Sequence, residues 1–529
     1  MTRYCIAAMV LVGFGFAAVR AGGPIEADIL LTGATIYDGT GGAPVRGDVA
    51  MRGDRIVAVG SFEVERVVWE IDCRQLVIAP GFIDLHTHSD EPIASGQARA
   101  NVNYLIQGST TVVTGNCGSG PADVGAFYEK VKALGAGTNV VHLLPQGALR
   151  KQVMGTEQRS ASPEELAAMK KLVAKAMNDG AWGMSTGLIY VPSSYADTDE
   201  LVELAKVVAA HRGIYVSHIR NEGTGLLEAV EEALEIGRRA QVPVHISHFK
   251  SAGRGAWGLV RRAVERIEQA RAAGQRVTAD QYPYIGSSTS LDAMLIPTWA
   301  RAGTRKAMVA RLDDPEAGPK MVDAIAAALQ RRDNGQALQV ASFATRRDWQ
   351  GKNLAEIAAA EKKTPLEIAL EIVRHGGASM VNFCMNEDDV RYVMQRPWVA
   401  TASDGRAYLP AGDRPHPRSY GAFARKIGYY AIRQNVLPLG QAIRSASGLP
   451  ADILGLPDRG YIKTGAFADV VVFDPKQYID RATFDAPHRY AAGVRYVFVN
   501  GQPAVFEGIP TGALAGRALR HPHSCKAKQ

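Results

Sequence analysis

Four histidines, one cysteine and one aspartate stand where apolar, β-branched runs of the sequence end. His86 and His88 follow GFIDL (81–85). In extended chain, residues i and i+2 face one side, so His-Thr-His presents two imidazoles together. A lone His-x-His is common on surface hairpins, but this one ends an apolar strand opening Ala79-Pro80-Gly81-Phe82. Cys117 follows TTVVT (110–114) in a glycine-flanked loop, Gly115-Asn116-Cys117-Gly118. A free cysteine is most often a buried packing residue, and a loop at a strand end is not a packing position. His218 and His248 end two strands one βα unit apart, each preceded by serine, and Asp404 ends WVATAS (398–403) before Gly405. A carboxylate at such a tip is a helix cap or a functional acid. Nitrogen and sulfur donors in this number favour Zn²⁺. Lys250, two residues beyond His248, alternates onto the same face. His142, His211, His245 and His375 lack this placement and read as structural, and His521 and His523 fall in a polar tail expected to be disordered.

The elements that must position these groups form a long βα alternation. Candidate strands are 81–85, 110–114, 139–144, 182–186, 213–218, 242–248, 276–280, 380–384 and 398–403. Helical periodicity lies between them, for instance at 163–177, where Ser162 and Glu165 suit a capping box. The alternation predicts an α/β fold, a TIM-like (β/α)8 barrel over 77–455, with reactive side chains at the C-terminal strand ends. Nine candidates is one too many, and 380–384 is expected in a connection. The stretch 286–344 breaks the rhythm and reads as an inserted lid subdomain over the barrel mouth.

Both ends of the chain carry short alternating strands, such as ADILLTGATI near the start and ADVVVF (468–473) near the finish. They predict one small β-sandwich assembled from 22–76 and 456–515, followed by a polar tail at 516–529. Residues 1–21 combine Arg3, an apolar run from Ile6 to Val19 and the small-residue site Val19-Arg20-Ala21. This is the three-part pattern of a signal peptide. Export to the periplasm or medium is expected, or a cytoplasmic protein if that segment is not a signal, with no membrane span in the mature chain. The net charge of +7 is small for 529 residues, and no basic block suggests a nucleic-acid groove. Five scattered cysteines exclude a disulfide scaffold. Nothing in the sequence sets the oligomeric state.

Taken together, APGFIDLHTHSD (79–90), GNCG (115–118), STGLIY (185–190), SHIRNEG (217–223), SHFK (247–250), YPY (282–284), SDG (403–405), HPRSYGAFAR (416–425) and GAFADVVVFDP (465–475) resemble the N-acyl-D-amino-acid deacylase (D-aminoacylase) family of the amidohydrolase superfamily. The resemblance implies zinc-dependent hydrolysis of a small-molecule N-acyl-D-amino acid. It makes Cys117, His218 and His248 the ligands of a tightly held zinc, while His86 and His88, alone or with Cys117, would frame a weaker second metal position. Asp404 would be the catalytic acid/base, and Lys250, Tyr282 and Arg418 would grip the substrate carboxylate. Gln146 stands where relatives carry an imidazole, which puts the pocket floor in question. Cyclic-amide hydrolases, isoaspartyl dipeptidases and deaminases share the scaffold. The first two normally carry a strand-four lysine or glutamate, absent from WGMSTG, and Cys117 argues against all three. A catalytically dead barrel acting as a binding protein would be suggested by loss of His218, His248 or Asp404, and all are present. The absence of arginine between Tyr284 and Thr298 favours a neutral or apolar substrate side chain.

Overall fold

A computed structural model describes residues 24–522. The expected signal segment 1–21 lies outside the described residues, as does His523. Among the described residues, no helix is long and apolar enough to cross a membrane.

The small domain is a nine-stranded sheet that takes strands from both halves of the chain. Its seam is the antiparallel pairing of Val77–Pro80 with Val470–Phe473. Period-two alternation gives this sheet two buried faces. Ile78, Val470, Val472 and Phe498 pack with Leu31, Val49 and Met51 on one face. Val77, Ala79, Val471, Phe473, Val497 and Val499 pack against the helices of the large domain. The chain passes from seam to barrel at Gly81, where a Cβ would lie 2.3 Å from the Thr110 side chain.

Eight strands make the barrel wall: Phe82–Asp84, Ser109–Thr114, Asn139–His142 continued by Leu144–Pro145, Gly183–Gly187, Ile214–His218, Val244–Ile246, Val277–Gln281 and Val399–Thr401. Every pairing between neighbours is parallel. The third strand is joined to both neighbours, through Leu143 N–H to Thr114 O at 3.0 Å and Trp182 N–H to His142 O at 3.1 Å. Between the last strand and the first, Asp404 N–H donates to His86 O (2.8 Å) and His88 N–H to Gly405 O (2.7 Å). Ile83, Val113, Val141, Val216 and Ala400 share one cluster, and their neighbours Val112, Val140 and Tyr215 pack against the outer helices. Ser162 and Glu165 form the capping box that starts the helix Pro163–Asn178.

Two expectations need correction. The insertion does not stop at 344: Ser379–Phe383 returns as the middle strand between Gly286–Ser290 and Leu338–Ser342. The helices Leu354–Glu361 and Pro365–Arg374 belong to its separate apolar core, with Leu291, Met321, Trp349 and Met380. Nor are residues 516–522 a loose tail. Gly516 and Ala518 bridge to Ala136 and Val140, and the carbonyl of Leu519 accepts from Trp182 Nε1 (2.6 Å) and Tyr128 Oη (3.0 Å). His521 stands edge-on to Trp182, so aromatic packing and backbone pairing outweigh the polar character of this stretch.

Candidate metal centre and active site

The C-terminal ends of strands one, two, five, six and eight bring the expected residues together. Cys117 Sγ is the hub: it lies 3.3 Å from His86 Nε2, 3.6 Å from His218 Nδ1 and 3.7 Å from His248 Nε2. With zinc–nitrogen bonds of about 2.0–2.1 Å and zinc–sulfur bonds of about 2.3 Å, tetrahedral ligands stand roughly 3.3–3.6 Å apart. The distance of the sulfur from each imidazole therefore fits ligands of a zinc ion, with His86, Cys117 and His248 mutually close and His218 grouped with His248 and Glu222, and the sulfur–imidazole set fits zinc's preference. His86 Nε2 also lies 3.5 Å from Asp404 Oδ1, and His88 Nε2 lies 3.1 Å from the same oxygen. His86, His88 and Asp404 thus form a second cluster that could hold a metal ion, sharing His86 with the first.

The backbone at these positions is unusual. Cys117 (φ 52°), His248 (φ 36°) and Asp404 (φ 50°) are all left-handed without being glycine. Such conformations cost about 1–3 kcal/mol each and persist only where the surroundings enforce them. At Cys117 the enforcement includes Gly115, where a Cβ would meet Leu143 O at 2.2 Å. Burial would push the Asp404 carboxyl up, but Arg418, His86 and His88 outweigh it and hold the group well below the usual range. Asp404 is an ionised acceptor in this setting.

Lys250, Tyr282 and Arg418 line the same 420 Å³ cavity as Cys117, His218, His248 and Asp404. Lys250 Nζ donates to Glu222 and, at 2.7 Å, to His248 O. Arg418 donates to Asp404 Oδ2 at 2.6 Å and to Ser288 O at 3.3 Å. The Tyr282 ring lies beside both cations, 5.7 Å from Lys250 Nζ and 5.0 Å from the Arg418 guanidinium carbon, and its buried hydroxyl has no hydrogen-bond partner among the described residues. Arg425 fixes the Tyr-Pro-Tyr segment by donating to Pro283 O (2.9 Å) and lying over Tyr284 (4.9 Å). It opens a π-helix, Arg425–Arg433, a distortion frequent at functional sites. A larger cavity of 700 Å³ lies beyond, sharing His88, Ser288, Thr289, Asp404 and Arg418 with the first.

Sequence reasoning missed two carboxylates. Glu222 lies 2.9 Å from His248 Nδ1 and 3.9 Å from His218 Nε2, besides bonding Lys250. Burial would raise its pKa, and Lys250, His248 and His218 overcome that and hold it well below the ordinary carboxylate value. Asp280, at the end of strand seven, bonds the backbone of His248 and approaches His86. Its signal was present, a carboxylate ending the strand RVTAD. Gln146 touches neither cavity: it is buried, accepts from Ser193 and donates to Glu200 Oε1 (3.2 Å). Its influence on the pocket floor is indirect, through the loop that carries Ile189 and Tyr190 to the cavity.

A sulfur–imidazole cluster with a carboxylate beside it, at the C-terminal mouth of a parallel barrel, is the architecture of a metal-dependent hydrolase. The pattern of the amidohydrolase family matches residues 70–505. D-aminoacylase of Alcaligenes xylosoxydans xylosoxydans is 36% identical over 522 residues, covering 93% of this chain and 97% of that protein. A solved D-aminoacylase studied for its binuclear metal center superposes with a TM-score of 0.81 at 32% identity, covering 93% of this chain and 100% of that one. N-acyl-D-glutamate deacylase from Bordetella bronchiseptica, complexed with zinc and a phosphonate inhibitor, gives a TM-score of 0.80 at 33% identity, covering 94% and 100%. The chain belongs to the amidohydrolase family, within its N-acyl-D-amino-acid deacylase branch.

Proposed function

We propose that the protein hydrolyses the amide bond of N-acyl-D-amino acids, adding water to give a carboxylate and a free D-amino acid. The reading is carried by one observation: two cations and a tyrosine suited to an α-carboxylate open onto the same 420 Å³ cavity as the Cys117, His218 and His248 cluster. Cys117, His218 and His248 would hold a zinc ion, which when bound would supply a Lewis acid and lower the pKa of a water from about 15.7 to about 7. His86 and His88, with Asp404, are positioned for a second, weaker metal.

The protein's own groups do the rest. Lys250, Tyr282 and Arg418 orient the substrate by its carboxylate, with charge-assisted hydrogen bonds. Asp404, ionised and buried, takes a proton from the attacking water and returns it to the departing nitrogen, which leaves as an amine. His88, 3.1 Å away, steadies the carboxylate between these transfers. The remaining wall includes Ile189, Tyr190, Ser287 and Thr289, and both cations already face carboxylates. With Lys250 and Arg418 assigned to the α-carboxylate, the described lining of that cavity holds no further lysine or arginine for a second negative charge, so neutral or apolar D-residues are the preferred substrates. The signal-like segment 1–21 supports export of the enzyme, which N-terminal sequencing of fractionated cells would test.

Zinc content and amine release from N-acetyl-D- and N-acetyl-L-amino acids test the activity directly. Asp404→Asn should keep its zinc and lose turnover by several orders of magnitude. An active variant removes Asp404 from the acid/base role, and a zinc-loaded wild type that releases no amine favours a binding protein.

A further inference from the structure

Behind the donor cluster, inside the barrel wall, lies a polar chain that the proposed reaction does not use directly. Asp280 ends strand seven and is fully buried. Its Oδ1 accepts the backbone N–H of His248 at 2.7 Å. Its Oδ2 lies 2.9 Å from His245 Nε2 and 3.4 Å from His86 Nδ1. The opposite nitrogen of His245, Nδ1, lies 2.8 Å from Thr278 Oγ1. One carboxylate therefore reaches the two elements that matter most to the cluster. It faces the ring of His86, whose other nitrogen looks toward both Cys117 and Asp404. It also grips the N–H of His248, whose left-handed backbone needs an enforcing contact.

We infer that Asp280, itself held by His245, is a positioning residue that fixes the His86 ring and the His248 backbone and so sets the geometry of both metal positions. Carboxylates that bind the far nitrogen of a metal-ligating histidine fix its tautomer and orientation. Here the carboxylate faces the ring of His86 at one proposed position and holds the backbone of His248 at the other, and a second histidine, His245, not a ligand, sets the carboxylate. The inference rests on the metal centre proposed above.

Two amide substitutions separate positioning from packing. In His245→Gln the side-chain amide nitrogen stands near the place of Nε2 and can still donate to Asp280. In His245→Asn it stands near Nδ1 and reaches only toward Thr278. Zinc affinity is read by competition with a chelator, and geometry by the visible spectrum of the cobalt(II)-substituted protein. His245→Asn should weaken zinc by about 10- to 100-fold, shift the cobalt bands and lower kcat with KM held. His245→Gln should restore most of each. Equal behaviour of the two variants, or a His245→Asn protein with wild-type affinity and spectrum, overturns the inference while leaving the metal centre standing. A wild type that takes up no zinc overturns the metal centre and this inference with it.

Discussion

Tyr282→Phe isolates one hydroxyl in the carboxylate-binding group. The ring stays, and with it the packing beside Arg418 and Lys250 at 5.0 and 5.7 Å. Only the oxygen goes, and it has no hydrogen-bond partner among the described residues. Its loss breaks no native contact, so the melting temperature should not fall. Substrate binding is another matter, because a hydrogen bond to a charged group contributes about 1.5–3 kcal/mol. At 1.4 kcal/mol per tenfold, that predicts a rise in KM of about 10- to 150-fold. The α-carboxylate takes no part in bond breaking, so the contact is the same in ground and transition states, and kcat should hold. Steady-state kinetics on an N-acetyl-D-amino acid, with a thermal melt of each protein, reads all three quantities. The corresponding substrate with its α-carboxylate replaced by a carboxamide should be turned over alike by both enzymes. An unchanged KM, or a kcat that falls while KM holds, would refute the assignment of Tyr282 to the carboxylate.

Two other perturbations probe the centre and the scaffold. Cys117→Ser removes the sulfur on which three imidazoles converge, and zinc measured by atomic absorption after dialysis should drop to near background while the circular dichroism is kept. Lys426, in the π-helix, is buried with no hydrogen-bond partner for its amine among the described residues, and burial pulls its pKa from 10.5 to about 7. Between those values the unfolded chain binds more protons than the folded one, so stability rises with pH from about 7 toward 10.5. Lys426→Met should therefore stabilise the protein by about 4 kcal/mol at pH 7, a gain that shrinks as pH approaches 10.5, both read by denaturant unfolding. A gain independent of pH would show that packing, not charge, limits the wild type.

What was legible in the sequence followed from periodicity and strand ends. His86, His88, Cys117, His218, His248 and Asp404 could be picked out because each stands at the end of a β-type run or within three residues after it. The helix Pro365–Arg374 carries the same amphipathic signal as barrel helices, so nothing local marked it as part of the lid. Ser379–Phe383 reads as a strand in either setting, and only its antiparallel partners tell which. Glu222 lies in a polar loop, and its approach to His248 depends on how two βα units sit side by side. The docking of 516–522 rests on Trp182 and Val140, hundreds of positions away in the chain, and composition cannot show such a partner.

The seam between Val77–Pro80 and Val470–Phe473 has a consequence for biosynthesis. A ribosome delivers the first of these strands early and its mate only near the end of translation. Until then the nascent polypeptide carries an open, apolar edge, the kind of surface that recruits other chains. Contacts so distant along the chain are also slow to form. Chaperone supply during expression should therefore govern the yield of this enzyme more than the stability of the finished protein does.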